Sequence, residues 1–141
     1  MPMKTRHILN WPQVEQRIRA HITPGSKGVL KCAGVERRPV TSNTVQKIGM
    51  RTGTSTRQTK AITYEMLRHA FHVLQLKGRF DSRDFRSKFA AEYEAAPCRY
   101  SMTGGVLVEI GAATLIPSDG DEECYYLKNG APAKGGPRLS R

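Results

Sequence analysis

Apolar residues recur at helical spacing in the second half of the chain, and each recurrence predicts an element. A helix from Thr63 to Lys77 is predicted by a stripe at i, i+3, i+4 and i+7, made of Leu67, Ala70, Phe71 and Leu74. Asp81, with Asp84 three residues later, predicts the capped start of a second helix that ends near Glu94. Its apolar residues repeat every four positions: Phe85, Phe89 and Tyr93.

A third helix and a hairpin are predicted to complete this half. Ser101 is the expected N-cap of the helix and Gly111 its C-terminal stop, with Met102, Val106, Leu107 and Ile110 facing inward. Two strands, 113–117 and 124–127, flank an acidic segment with Asp-Gly near its centre, which favours a hairpin. The core expected from these patterns comprises Leu67, Phe71, Leu74, Phe85, Phe89, Leu107 and Ile110.

The N-terminal half is predicted to hold one helix and several short strands. Proline in a first turn and apolar residues at helical spacing predict a helix from about Pro12 to Ala20. Strands are predicted at 29–32, 35–40 and 44–50, with Gly34 in a turn. The fold class is therefore α+β, with a small basic β-rich part at 1–62 packed on a three-helix core and hairpin at 63–128. A basic tail at 129–141 is expected to be disordered.

The order helix, extended link, helix, turn, helix, hairpin over 63–128 resembles a winged-helix domain, a relative of the helix-turn-helix. The resemblance rests on the stripe of the first helix, on Gly78-Arg79-Phe80 before Asp81, and on Phe85 and Phe89. It implies that 101–111 is a recognition helix whose start faces a major groove, and that 115–127 is the wing. The contact candidates that it implies are Arg99, which would reach a guanine edge or a phosphate, and Tyr100, Ser101 and Thr103.

Charge adds a second line of evidence for nucleic acid. The net charge is +11, and residues 1–62 hold 12 of the 23 Lys and Arg with only two acids. A one-sided excess of this kind favours a polyanionic partner. The segment 51–60, with three cations and five hydroxyls, would bind phosphates, or would be a solvated linker. The basic-half candidates are Arg37, Arg38, Lys47, Arg51, Thr54, Ser55, Arg57 and Lys60.

The predicted wing carries the opposite charge. Its tip holds Asp119, Asp121, Glu122 and Glu123, which would repel a phosphate backbone. Either the segment 118–123 points away from the nucleic acid, or it contacts a protein partner. Gly104-Gly105 in the third helix would allow close approach of a ligand backbone or close packing of a neighbouring element.

Catalysis is not expected. Glu65, His69 and His72 share one helix face, but they lie opposite the apolar stripe, where a solvated polar face is the better explanation. No metal or cofactor is therefore predicted. The three cysteines, Cys32, Cys98 and Cys124, have wide spacings and no CxxC pair, which favours separate buried thiols.

The sequence contains no long apolar run and no apolar signal-peptide core, so no membrane association is expected and the cytoplasm is the expected location. The predicted function is non-enzymatic binding of nucleic acid, with double-stranded DNA as the expected form, by a regulator or recognition module. The alternative is a small interaction or inhibitor protein, of the kind encoded by phages or mobile elements, that acts on a nucleic-acid-handling machine.

Overall fold

Short helices and short strands follow one another along the whole described chain. The computed structural model describes residues 9–52, 58–120 and 122–129. Its elements are α1 (Trp11–His21), β1 (Val29–Leu30), β2 (Arg37–Arg38), β3 (Val40–Asn43), β4 (Lys47–Arg51), β5 (Thr59–Thr63), α2 (Tyr64–Lys77), β6 (Arg79–Phe80), α3 (Ser82–Ala95), α4 (Cys98–Glu109), β7 (Ala113–Ile116) and β8 (Tyr125–Lys128).

The described strands form three small antiparallel sheets. β1 pairs with β2, the second sheet has the order β3-β4-β5, and the third has the order β6-β8-β7. The α+β fold class is confirmed, as is the hairpin formed by β7 and β8. Among the described residues, no helix combines the length and apolar character needed to cross a bilayer.

The caps of α2 and α3 are those that the sequence predicts. The hydroxyl of Thr63 accepts a hydrogen bond from the backbone N–H of Met66, and Gly78 ends α2 in the left-handed conformation with φ of 77°. Asp81 caps α3, and the side chain of Asp84 returns a bond to the backbone N–H of Asp81. Because these caps satisfy backbone groups that no helical turn can reach, they fix where each helix begins and ends.

The predicted core is confirmed, and it continues into the N-terminal half. All seven side chains expected to be buried are buried, with Phe85 among the fully enclosed ones. Val14 and Ile18 of α1 and Ile48 of β4 join the same apolar cluster. The N-terminal elements therefore pack on the three helices, as their small size requires.

Helix α4 begins three residues earlier than predicted. Pro97 already has helical backbone angles, φ −58° and ψ −24°, so the helix starts at Cys98. Ser101 is therefore not the N-cap: its hydroxyl donates to the backbone oxygen of Cys98, one turn back. Proline is well suited to this position because the first turn needs no N–H donor.

The glycine pair of α4 serves close packing. A Cβ on Gly104 would lie 2.1 Å from the ring of Tyr126, and a Cβ on Gly105 would lie 2.8 Å from the backbone oxygen of Leu30. Neither gap admits a methyl group. The two glycines therefore let a β8 side chain and the β1 backbone rest directly against the helix.

The strands of the N-terminal half differ from the predicted ones. Pro39 separates β2 from β3, which join different sheets, and the third predicted run begins only after a turn at 44–46. The segment predicted as the loop 51–60 ends in a strand, β5, whose Thr59 pairs with Arg51 and whose Thr63 pairs with Lys47. Its sequence, Thr-Lys-Ala-Ile-Thr, has one large apolar residue and no alternation of apolar and polar residues from which to predict a strand.

Two cysteines are joined, which corrects the prediction of separate thiols. Cys32 and Cys124 form a disulfide with Cα atoms 5.4 Å apart, across 92 residues of sequence, while Cys98 is free. Packing of β1 and β8 against α4 brings the two cysteines together. Sequence spacing alone carries no signal for a pair so distant.

We predict that this disulfide stabilises the fold by about 2–4 kcal/mol, because closing a long loop restricts the unfolded chain. Denaturant unfolding with and without a thiol reductant measures the difference, and peptide mapping without reduction identifies the pair. The matched control is Cys98→Ser, which should keep the full effect of reductant. Equal midpoints for the oxidised and reduced chains would contradict the prediction.

Candidate nucleic-acid interface

The outer face of the sheet β3-β4-β5 is polar and carries cations. Ile48 and Met50 of β4 are buried on the inner face, so strand alternation places Lys47, Gly49 and Arg51 on the outer face. Lys47 and Arg51 are both exposed, one near each end of β4. They are two of the residues that the sequence predicted to bind nucleic acid.

Hydroxyl groups lie between these two cations. A shift of register between Val40 and Ser42 marks a bulge in β3, where the side chains of Thr41 and Ser42 both reach the space above Gly49. A Cβ on Gly49 would lie 2.7 Å from the Ser42 hydroxyl. Thr59 of β5 lies beside them, paired with Arg51. The face thus offers hydroxyl donors between two positive charges.

Lys47 and Arg51 form no ion pair with any carboxylate in the described ranges, and in this they differ from several neighbouring cations. Four other N-terminal cations are bound to acids at N···O distances of 2.7–3.3 Å: Arg19 to Glu15, Lys31 to Glu36, and both Lys27 and Arg37 to Glu109. Part of the N-terminal basic charge is therefore paired with acids of the same chain. The positive charge of the outer face remains available to an external anion.

Three residues implied by the winged-helix resemblance are buried. Tyr100, Ser101 and Thr103 each expose 0% of their surface, because α4 is enclosed between the other helices and the strands. The Tyr100 hydroxyl donates to the backbone oxygen of Cys124, and the Thr103 hydroxyl donates to that of Arg99. Side chains buried in this way do not reach a groove of DNA, so the prediction that these three residues contact nucleic acid is wrong for this fold.

Arg99 is engaged inside the fold. Its Nε donates to the backbone oxygen of Ala61 at 3.0 Å, and its Nη1 donates to that of Glu92 at 3.1 Å. The guanidinium thus ties the edge of β5 to the end of α3. Reading a base edge would require breaking both bonds, which makes Arg99 a structural residue in this arrangement.

The remaining predicted residues divide by the direction of their side chains. Lys60 pairs with Met50, so alternation turns it to the opposite face from Arg51. Arg37 is half-buried and bound to Glu109, and Arg38 exposes only 6% of its surface. These three therefore do not belong to the outer face. Thr54, Ser55 and Arg57 lie outside the described residues.

In the acidic hairpin, whose tip is the segment 118–123, one carboxylate contacts the start of a helix of the fold. Glu122 Oε1 accepts a hydrogen bond from the backbone N–H of Ser101, in the first turns of α4, which lacks a side-chain cap. A carboxylate there interacts favourably with the helix dipole. Asp119 and Glu123 are exposed, and Asp121 lies outside the described residues.

A second basic region, which the sequence analysis did not single out, lies between α1 and the end of α4. A cavity of about 510 Å³ is lined by Arg17, His21, Lys27 and Glu109, among others. Arg17 and His21 are four residues apart and so share a helix face, a signal that was present in the sequence. Arg17 donates weakly to the backbone oxygen of Ile110, at 3.4 Å.

On the face that carries Glu65, His69 and His72, Glu65 and His72 are exposed, in line with the predicted solvated face, and only His69 is half-buried. His69 is half-buried with its Nε2 3.0 Å from the backbone oxygen of Asp84, and its ring contacts Phe89 edge-on. Within the described ranges, no three His, Cys, Asp or Glu side chains are grouped so as to hold a metal ion.

Comparison with known proteins gives no match to any family model, curated protein or solved structure. The winged-helix resemblance therefore remains a prediction.

We predict that Arg99→Ala destabilises the fold by about 1–3 kcal/mol, because the Ala61 carbonyl loses the Arg99 donor and the Glu92 carbonyl loses one of its two donors. Chemical denaturation measures the change. Arg83→Ala is the matched control, since that side chain is 83% exposed and should cost no more than about 0.5 kcal/mol. A fully stable Arg99→Ala variant with altered preference among DNA sequences would show instead that Arg99 reads bases.

Proposed function

We propose that this protein binds nucleic acid without catalysing a reaction, and that the outer face of β3-β4-β5 is the binding surface. The observation that carries the proposal is the pair of exposed cations Lys47 and Arg51, which form no ion pair within the described ranges and have hydroxyls between them. Phosphate contacts in protein–nucleic acid complexes come mainly from Lys, Arg and hydroxyl side chains. The predicted contacts Thr54, Ser55 and Arg57 belong to the connection that follows β4.

Double-stranded DNA is the proposed form of nucleic acid. The strands β4 and β5 form five residue pairs within the three-stranded sheet, and their outer side chains make one continuous face that can lie along the phosphate backbone of a duplex. Sheets that bind single strands stack bases on aromatic side chains. The outer-face residues of β4 and β5 are Lys, Gly, Arg, Thr and Ala, which suit a phosphate backbone better than an unstacked base.

The alternative, a protein partner on the acidic hairpin, has weaker support. One of its carboxylates, Glu122, already binds the start of α4. The other described acids, Asp119 and Glu123, would need a basic partner, and no described surface feature defines one. We retain this alternative as an outcome of the experiment below.

The cytoplasm remains the proposed location. Disulfides are rare in the cytosol, so the Cys32–Cys124 pair would be unusual there. Fractionation of the native cells tests the location: the chain should be recovered in the cytosolic fraction, and its recovery in an oxidising compartment would overturn the proposal.

We predict that the double variant Lys47→Gln/Arg51→Gln weakens binding to every duplex by a similar factor. The slope of log affinity against log salt is negative, and each lost phosphate contact makes it shallower by about 0.9 for duplex DNA. Loss of two contacts should therefore make it shallower by about two units. Fluorescence anisotropy with two unrelated duplexes, over about 50–200 mM salt, measures both quantities.

The charge-matched control is Arg86→Gln/Lys88→Gln on α3, which removes two cations away from this sheet. It should leave the slope nearly unchanged. Equal losses in both double variants would indicate a diffuse electrostatic effect and contradict the proposed face. Normal binding by Lys47→Gln/Arg51→Gln, with impaired binding by Asp119→Asn/Glu123→Gln, would favour the protein-binding alternative.

A further inference from the structure

Two hydroxyls converge over Gly49 because β3 carries a bulge. Val40 pairs with Met50 and Ser42 pairs with Gly49, so one step along β4 corresponds to two steps along β3. A bulge of this kind places two residues of one strand, here Thr41 and Ser42, opposite a single residue of its partner. Regular alternation would turn consecutive side chains to opposite faces, whereas both of these reach the outer face.

The absence of a side chain on Gly49 lets the two hydroxyls lie close together. A Cβ on Gly49 would lie 2.7 Å from Ser42 Oγ and 2.9 Å from Thr41 Oγ1, so any larger residue would push them aside. Glycine within a strand often marks a bulge or a place that a ligand approaches closely. Gly49 is itself buried, so an incoming group meets the two hydroxyls and not the backbone beneath them.

Neither of these hydroxyls has a hydrogen-bond partner within the described ranges. Thr41 is exposed and Ser42 is half-buried on the outer face. By contrast, the hydroxyls of Thr44 and Thr63, at the ends of the same sheet, are bonded to the backbone. The pair over Gly49 is therefore available to an external acceptor.

The surroundings of this hydroxyl pair favour an anion. Lys47 and Arg51 lie on the same face of β4, each two residues from Gly49, which is about 7 Å along the strand. Lysine and arginine side chains are long enough to reach a group held above the glycine. The three strands contribute no acid to this face, whose residues are Thr41, Ser42, Lys47, Gly49, Arg51, Thr59, Ala61 and Thr63.

We propose that the hydroxyls of Thr41 and Ser42 form a seat for one phosphate group of the bound duplex, with the cations of Lys47 and Arg51 on either side. This inference rests on the proposed function and specifies how its binding face holds the backbone. A phosphodiester carries two unesterified oxygens, and two adjacent hydroxyl donors match them. Contacts of this kind position the backbone and read no base, so the seat contributes equally to every sequence.

The test is the double variant Thr41→Ala/Ser42→Ala, measured by fluorescence anisotropy on duplex DNA over about 50–200 mM salt. Loss of two hydrogen bonds should weaken binding by about tenfold to a hundredfold at every salt concentration. Neutral donors release no counterions, so the slope of log affinity against log salt should not change. This separates the seat from the cations Lys47 and Arg51, whose removal makes the slope shallower.

The matched control is Ser87→Ala/Thr114→Ala, which removes one serine and one threonine hydroxyl at exposed positions of α3 and β7. It should bind duplex DNA as the natural chain does, and thermal unfolding of both double variants checks that they fold. A loss of affinity in the control equal to that in Thr41→Ala/Ser42→Ala would overturn the seat.

Gly49→Ala tests the geometry without removing a hydroxyl. Its methyl group would displace both donors, so affinity should fall while the slope stays the same. Added to Thr41→Ala/Ser42→Ala, it should cause little further loss, because the donors that it displaces are already gone. Equal losses in the two backgrounds would overturn the arrangement proposed over Gly49.

Failure of the seat and failure of the proposed function give different results. If Lys47→Gln/Arg51→Gln weakens binding as predicted and Thr41→Ala/Ser42→Ala binds normally, the seat is wrong and the binding face stands. A shallower slope in Thr41→Ala/Ser42→Ala would also overturn the seat, because it would show displaced cations. If the natural chain binds no duplex even at about 50 mM salt, the proposed function fails and the seat fails with it.

Discussion

Close packing around α4 is the constraint on which the rest of the structure depends. Its residues from Tyr100 to Leu107 are all buried, and only glycine fits at Gly104 and Gly105, where Tyr126 and the β1 backbone press against the helix. These contacts bring β1 and β8, which lie far apart in the sequence, to the same helix. The disulfide joins Cys32, which follows β1, to Cys124, which precedes β8.

Enclosing this helix also decides which charges face solvent. The N-terminal turns of α4 are unavailable to a partner, and its last residue, Glu109, binds Lys27 and Arg37 from the N-terminal half. These two cations near the helix are thereby paired, whereas Lys47 and Arg51, on a sheet face turned away from the core, have no carboxylate partner in the described part of the chain. The position of the candidate interface follows from the burial of the helix.

Local patterns predicted much of the fold and little of the site. The stripe of Leu67 and Phe71, the cap at Asp81 and the hairpin after α4 depend on neighbouring residues, so sequence periodicity was enough to predict them. The disulfide and the internal bonds of Arg99 depend on contacts between residues far apart in sequence. No pattern within a short window reports such contacts.

The same limit explains why composition predicted more nucleic-acid contacts than the fold leaves exposed. A net charge counts every lysine and arginine equally, but the fold gives them different partners. Arg37 and Arg38 are adjacent in sequence, yet Arg37 is half-buried and bound to a carboxylate, whereas Arg38 is turned into the fold and buried. Arg51 and Lys60 lie on neighbouring strands and face opposite sides of the sheet. Charge identifies the class of partner that a basic chain favours, whereas strand alternation decides which of its cations can reach that partner.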